Sequence, residues 1–359
     1  MNVVIRTDAS LEIGTGHVMR CLTLAKQLIR EGVEVSFICR SFPGNSISFI
    51  QDQGFHVHTL PSLVNQNHWQ WMRNFWNQDA QETKLIIKSL NKKTDLLIID
   101  HYELDAKWES ELRSGVEHIM VIDDLADRPH DCDLLLDQNY YFDMQNRYKG
   151  LIPDQCIQLL GPDYVLLRDE FLSIDVEKID RDSNVNNILV FFGGTDPTGE
   201  TLKTLQAVKD LSCSDIEYTV VVGVANPQKE QIEQICDQIS NVTFYCQVNN
   251  MAELMVKADL AVGAGGTTSW ERCFLALPSI TVIVANNQTE LSEAVAEKGA
   301  MYCLGTSTEV TAKDIGGKIL ELCNSPLKRN KMIRNCWEIV NPKYVKERLV
   351  IKNIMELQK

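Results

Sequence analysis

Three loops gather the residue types from which a reactive site could be built. The first runs Arg6-Thr7-Asp8-Ala9-Ser10-Leu11-Glu12-Ile13-Gly14-Thr15-Gly16-His17 and ends on a histidine where a helical pattern begins. The positive end of a helix disfavours an imidazolium, so His17 should stay neutral near pH 7, and a neutral imidazole accepts a proton from water. A helix cap and a hydrogen-bond donor to phosphate are the other roles open to it. Gly14 and Gly16 are followed by His17 and Val18 without a third glycine, so a dinucleotide site explains the loop poorly.

The second loop, Gly193-Gly194-Thr195-Asp196-Pro197, follows an apolar run, and its glycines would let backbone approach a ligand beside the Thr195 hydroxyl. A plain strand-to-helix turn fits it as well. The third is more specific: Gly263, Gly265 and Gly266, then Thr267, Thr268 and Ser269, make a suitable cradle for a diphosphate at a helix start. Glu271 falls about one turn into that helix, where a carboxylate accepts two hydrogen bonds from ribose hydroxyls or else serves the helix dipole. No Walker lysine follows these glycines, which disfavours a P-loop nucleotidase.

The elements that must position these loops read as strand and helix in alternation. Apolar strands are expected at 2–6, 33–38, 95–99, 118–122 and 134–136, the last of the first half. A helix after the first loop buries Val18, Cys21, Leu22, Ala25, Leu28 and Ile29 and ends at Gly32. A charged stretch, 174–187, reads as surface connection. The same grammar then restarts with strands at 188–192, 218–222, 242–245, 260–262 and 279–284, and a helical tail runs from Pro326 to the end. Alternation of this kind implies parallel sheets, with ligands beyond the carboxyl ends of the strands. The expected fold class is α/β, two doubly wound, Rossmann-like domains facing across a cleft. The first covers 1–165 and holds the catalytic loop; the second covers 166–359, with the terminal helix as a candidate to pack back on the first.

Composition excludes several function classes. With 35 Lys+Arg against 49 Asp+Glu the net charge is −14, and no basic run offsets it, so nucleic acid is an unsuited partner. No apolar stretch approaches a bilayer span and no signal-peptide pattern opens the chain, so the expectation is a cytoplasmic protein without membrane insertion. Eleven cysteines without a C-x-x-C pair favour reduced thiols over disulfides or zinc.

At these residues the sequence resembles a known family, the PseG-type hydrolases of pseudaminic acid biosynthesis, relatives of the peptidoglycan glycosyltransferase MurG with the GT-B fold. The likeness rests on Ile13-Gly14-Thr15-Gly16-His17-Val18-Met19-Arg20-Cys21-Leu22-Thr23-Leu24-Ala25, with Asp100-His101-Tyr102, Ile122-Asp123-Asp124-Leu125-Ala126, Leu134-Leu135-Leu136-Asp137-Gln138-Asn139 and Gly161-Pro162-Asp163-Tyr164 in support. It implies water attack at the anomeric carbon of UDP-2,4-diacetamido-2,4,6-trideoxy-β-L-altropyranose, releasing UDP and free sugar, with no cofactor and no metal. His17 then resembles the catalytic base, Tyr102 a residue near the sugar and Asn287, beside Gln288, a further contact. Gly265 to Thr268 and Glu271 resemble the UDP-holding segment. Asp8 and His101 stand as candidate contacts to sugar or base. Other enzymes of the pathway are candidate partners.

Rival readings share the architecture. A glycosyltransferase for surface or spore-coat polysaccharide would use His17 on an acceptor hydroxyl, a UDP-sugar 2-epimerase would eliminate UDP, and a nucleotide-sugar sensor would need the glycines without the histidine.

Overall fold

In the computed structural model the described residues are 1–62, 68–181, 184–211, 213 and 215–357. The chain divides into two compact units: unit 1 is 1–139, 143–166 and 347–359, and unit 2 is 140–142 and 167–346.

Unit 1 is built on a seven-stranded sheet of β1 (Asn2–Thr7), β2 (Glu34–Arg40), β3 (His56–Leu60), β4 (Thr94–Asp100), β5 (Val116–Ile122), β6 (Leu134–Asp137) and β7 (Ile157–Leu160), in the order β3-β2-β1-β4-β5-β6-β7. Every pairing is parallel. Both faces are covered, which is why β1 and β4 read as unbroken apolar runs. Val3, Ile5, Leu96 and Ile98 point into the core that helix α1 (Gly16–Arg30) covers, while Val4, Leu97 and Ile99 point into a second core with Trp71 and Trp108. A short helix near the end of the chain, α3 (Leu349–Glu356), joins the first of these cores through Val350, Ile351 and Ile354.

Unit 2 repeats the plan with β8 (Asn187–Phe191), β9 (Glu217–Val222), β10 (Val242–Cys246), β11 (Leu260–Ala264), β12 (Ser279–Ile283) and β13 (Tyr302–Thr306), in the parallel order β10-β9-β8-β11-β12-β13. Helix α2 (Thr268–Phe274) follows β11.

In both sheets the strand order reverses once, between β1 and β4 and between β8 and β11. Chains leaving two such strands diverge to opposite faces, so a crevice opens at their carboxyl ends. The loop that leads into His17 of α1 and the loops holding Tyr102, Gly194 and Gly265 leave these four strands.

The structure corrects the sequence reading in four places. The strand at 134–136 is not the last of its half, because β7 follows, short and exposed at Ile157 and Gln158 as an edge strand is. β3 and β13 were also missed, since each carries polar residues or glycine where alternation was sought. Ile29 is not in the buried stripe of α1: it lies 48% exposed on the last turn. The stretch 174–187, of which 182–183 lie outside the described residues, is more than surface connection, because Arg181 is buried and donates to the carbonyls of Met255, Ala258 and Leu275. Gly32 does end the first helix as read, with φ of 77°.

Candidate active site

In unit 1 the loop after β1 folds back on itself, with Gly14 at φ 71° donating its N–H to the Ser10 carbonyl at 2.9 Å. A left-handed residue there turns the chain into α1, and nothing crowds either Gly14 or Gly16. His17, the second residue of α1, is buried and meets Asp100, the last residue of β4, through Nδ1. Arg20, one turn further along the same helix face, grips that carboxylate with Nε to Oδ2 at 2.9 Å and Nη2 to Oδ1 at 2.8 Å. Burial opposes charge on Asp100, but Arg20 first and His17 next outweigh it and hold the carboxyl well below its ordinary range.

An ionised carboxylate only accepts, so the hydrogen-bond network assigns the proton of a neutral His17 to Nδ1 and the lone pair to Nε2. Among the described residues nothing hydrogen-bonds to Nε2. The Tyr102 ring meets the imidazole edge-on, with centroids 4.3 Å apart, and its hydroxyl donates to Asp124 Oδ2 at 3.3 Å.

Asp8 and His101 lie deeper. Asp8 is fully buried, accepting from Arg6 Nη1 at 2.6 Å and from the Arg40 backbone at 2.7 Å; the carboxylate against His17 is Asp100, not Asp8. His101 and His68 bring their Nε2 atoms to 3.1 Å, and Asp8 Oδ2 is 3.5 Å from His101 Nε2. Asp8, His68 and His101 are thus spaced like ligands of one metal ion. The hydrogen bonding does not fit one. A metal on His101 Nε2 would need a proton on Nδ1, yet the Glu103 N–H points at Nδ1 from 3.0 Å. His101 therefore carries its proton on Nε2 and donates it. Burial, with His101 next, pushes His68 down to about 3, and burial lowers His101 too, so both rings are neutral.

In unit 2, Gly193 and Gly194 leave β8, with Gly193 at φ 90° and the Gly194 backbone packed against Gly223, where a Cβ would collide with it. Thr195 follows, exposed. The second loop leaves β11, whose Gly263 pairs with Phe191 of β8. A Cβ on Gly265 would collide with Ser292 Oγ, so a larger residue there forces that buried hydroxyl to move. Gln288 is brought against this loop, its Cβ 3.5 Å from the same point; Asn287 lies exposed beside it, and Thr267 and Thr268 stay accessible. Beneath them Arg272 is buried, with Nη2 on the Ala264 carbonyl at 2.8 Å and on Ser269 Oγ at 3.0 Å, and no carboxylate pairs with it among the described residues. Burial lowers its pKa. Glu271 Oε1 accepts from Arg168 Nη2 at 3.0 Å, while Oε2 is buried without a partner among the described residues. Burial, opposed by Arg168, raises the Glu271 pKa.

Asp100, Arg20 and Asp124 stand in the stretches that carry the resemblance but have no role read from them, and Arg272 is not among the residues the sequence points to. One signal was available: Asp100 is the carboxylate that closes an otherwise apolar strand at its carboxyl end.

Comparison with known proteins gives the same architecture. Residues 188–349 match the glycosyltransferase family 28 C-terminal domain. A Campylobacter jejuni protein, the UDP-2,4-diacetamido-2,4,6-trideoxy-beta-L-altropyranose hydrolase, is 28% identical over 308 residues, 83% of this chain and 97% of that one. The uncharacterized protein MJ1062 of Methanocaldococcus jannaschii is 28% identical over 81% of this chain, which spans only 57% of its length. The crystal structure of Acinetobacter baumannii MurG superposes with a TM-score of 0.64 at 14% identity, covering 98% of this chain and 99% of that one. By sequence the chain resembles the PseG-type hydrolases over most of its length, its residues 188–349 match the glycosyltransferase family 28 C-terminal domain, and its fold is GT-B.

Proposed function

We propose that this chain is a cytoplasmic UDP-sugar hydrolase, acting on UDP-2,4-diacetamido-2,4,6-trideoxy-β-L-altropyranose or a close relative of it. The observation that carries the reading is the Asp100–His17 pair, which leaves Nε2 as the proton acceptor at the carboxyl edge of a parallel sheet. In this reading unit 2 holds UDP and unit 1 supplies the base. Nε2 takes a proton from water as the water oxygen bonds to the anomeric carbon, and the anomeric carbon–oxygen bond breaks with its electron pair leaving on the β-phosphate of UDP, with inversion. A nucleoside diphosphate leaves readily, so no general acid is needed. Backbone N–H groups of the Gly193–Thr195 and Gly265–Thr268 loops, with the Arg272 charge beneath, suit the growing negative charge. Glu271 Oε2 suits a ribose hydroxyl, and Tyr102, Asn287 and Gln288 are proposed contacts to the substrate. The relative's printed name supports the substrate, and eleven free cysteines suit a reducing compartment. Among the described residues no helix is long and apolar enough to cross a membrane.

The family 28 domain favours one second reading, transfer of the sugar to an acceptor hydroxyl. The two are separated by following UDP and free sugar by NMR with purified protein and the UDP-sugar alone. Stoichiometric release of both without acceptor is expected, and UDP release that needs an added acceptor would mean transfer. His17→Ala is expected to lower kcat by roughly 10²–10⁴ with little change in UDP affinity; near-normal turnover would remove the base assignment.

A further inference from the structure

One guanidinium touches both halves of the polar network around His17. Arg20 sends Nε and Nη2 to Asp100, the carboxylate on the base, and Nη1 to Asp124, at 2.8 Å from Oδ1 and 3.1 Å from Oδ2. Asp124 accepts in turn from the Tyr102 hydroxyl and, at 2.9 Å, from Asn139 Nδ2. These partners come from three strand ends, β4, β5 and β6, while Arg20 comes from α1. Burial disfavours the charge on Arg20, and Asp100 and then Asp124 outweigh it and hold the pKa well above the usual value.

We propose that Arg20 is a positioning residue that sets the tautomer of His17 and the place of Tyr102 together, an inference that rests on the hydrolase reading for its effect on rate. Its planar fork is what allows this. With Nε and Nη2 on the two oxygens of Asp100, the carboxylate cannot rotate, so Oδ1 stays on His17 Nδ1 and the lone pair stays on Nε2. Nη1 is fixed by the same plane and pins Asp124, which fixes the tyrosine hydroxyl. Lysine has three N–H donors but no planar fork, so it bridges two carboxylates without fixing the plane of either. Tyrosine and base therefore keep their mutual geometry only with arginine at this position.

The test uses the full chain, with UDP release, UDP calorimetry and NMR of ¹⁵N-histidine-labelled protein. Arg20→Lys is expected to lose about 10–100-fold in kcat with KM changed by less than about threefold. Arg20→Ala is expected to lose more and to regain severalfold on adding methylguanidinium. In wild type the His17 ring nitrogens should report a protonated Nδ1 and an unprotonated Nε2, and in Arg20→Ala a mixture of tautomers. Folded variants that turn over at the wild-type rate would overturn the proposal. So would a loss that methylguanidinium does not restore while the His17 spectrum stays unchanged. A wild-type protein that releases no UDP from the UDP-sugar sinks the hydrolase reading instead, and the tautomer comparison still decides the role of Arg20.

Discussion

At the β1–β4 reversal of unit 1, Arg6 and Arg20 are each set against two carboxylates, whereas at the β8–β11 reversal of unit 2 the buried guanidinium of Arg272 has none among the described residues. The two places are topologically alike and chemically opposite. Proton chemistry needs polar groups whose tautomers and orientations are fixed, and paired charges do that at the cost of their attraction for anything else. Holding an anion needs backbone that can be approached closely and positive charge not already neutralised. Glycines and a lone buried cation meet that second need. The fold offers one kind of crevice twice, and the side chains on the two strand ends decide its use.

Asp100→Asn tests the proton-handling side of this contrast. The amide must present an NH₂ either to a guanidinium N–H of Arg20 or to His17 Nδ1, so the clamp loosens or the ring takes the wrong tautomer. Turnover is expected to fall by roughly 10²–10⁴, while UDP affinity by calorimetry stays within about twofold, because that carboxylate's side-chain bonds go to His17, Arg20 and Cys21 and to none of the proposed UDP cradle. A parallel collapse of UDP affinity in a folded variant would show that the two crevices do not divide the work.

Arg272→Met tests the anion-holding side. The side chain keeps its packing and loses its charge, and with it the bonds to Ala264 and Ser269. UDP affinity is expected to weaken about 10–100-fold, the loss of roughly 1.5–3 kcal/mol that goes with a charged hydrogen-bonding group, with kcat at saturating substrate much less affected. If kcat falls and UDP binding does not, Arg272 serves the transition state or the fold and the contrast with unit 1 fails.

These two residues also mark what could be read from the sequence. The glycine loops and His17 were legible because their meaning is local: a glycine after an apolar strand and a histidine at a helix start say much within ten residues. Asp100 acts on a residue 83 positions away and Arg20 on one 104 positions away, and no periodicity relates them. Strands inside the sheets were legible from unbroken apolar runs. Edge strands β3 and β7 were not, because a strand with one solvated side carries His56, His58 or Gln158 without penalty. Arg272 reads as an ordinary helical residue until the fold buries it under the glycines.

The smallest expected effect concerns a proton stored in unit 1 near the same network. The Tyr148 hydroxyl lies 3.0 Å from Asp123 Oδ2 and 3.0 Å from Asp137 Oδ2, and it has one hydrogen to give. Asp123 already accepts two backbone N–H groups, from Leu125 and Ala126, and lies beside Arg128, so it takes the ionised form. Asp137 accepts the Asn139 N–H and has Arg147 Nε 3.3 Å from Oδ2, but burial, and then the charge of Asp124, outweigh both and push it up to about 7 from its ordinary 3.8, so it is the carboxyl that holds a proton. The folded chain thus keeps a proton that the unfolded chain releases near pH 4. The stabilisation is complete below that value and is lost as pH rises through about 7. Between about pH 5.5 and about pH 8.5 the wild-type thermal midpoint should fall further than that of Asp137→Asn, whose neutral amide does not titrate. The difference should be on the order of 2 kcal/mol, or roughly 4–8 °C. Because Asp124 also carries Arg20, ionising Asp137 adds negative charge next to the clamp, and the asparagine variant should show a flatter dependence of turnover on pH above 7. Identical melting slopes for the two proteins would mean that the Tyr148 hydroxyl bridges two carboxylates without a second proton, and that unit 1 balances its charges without storing one.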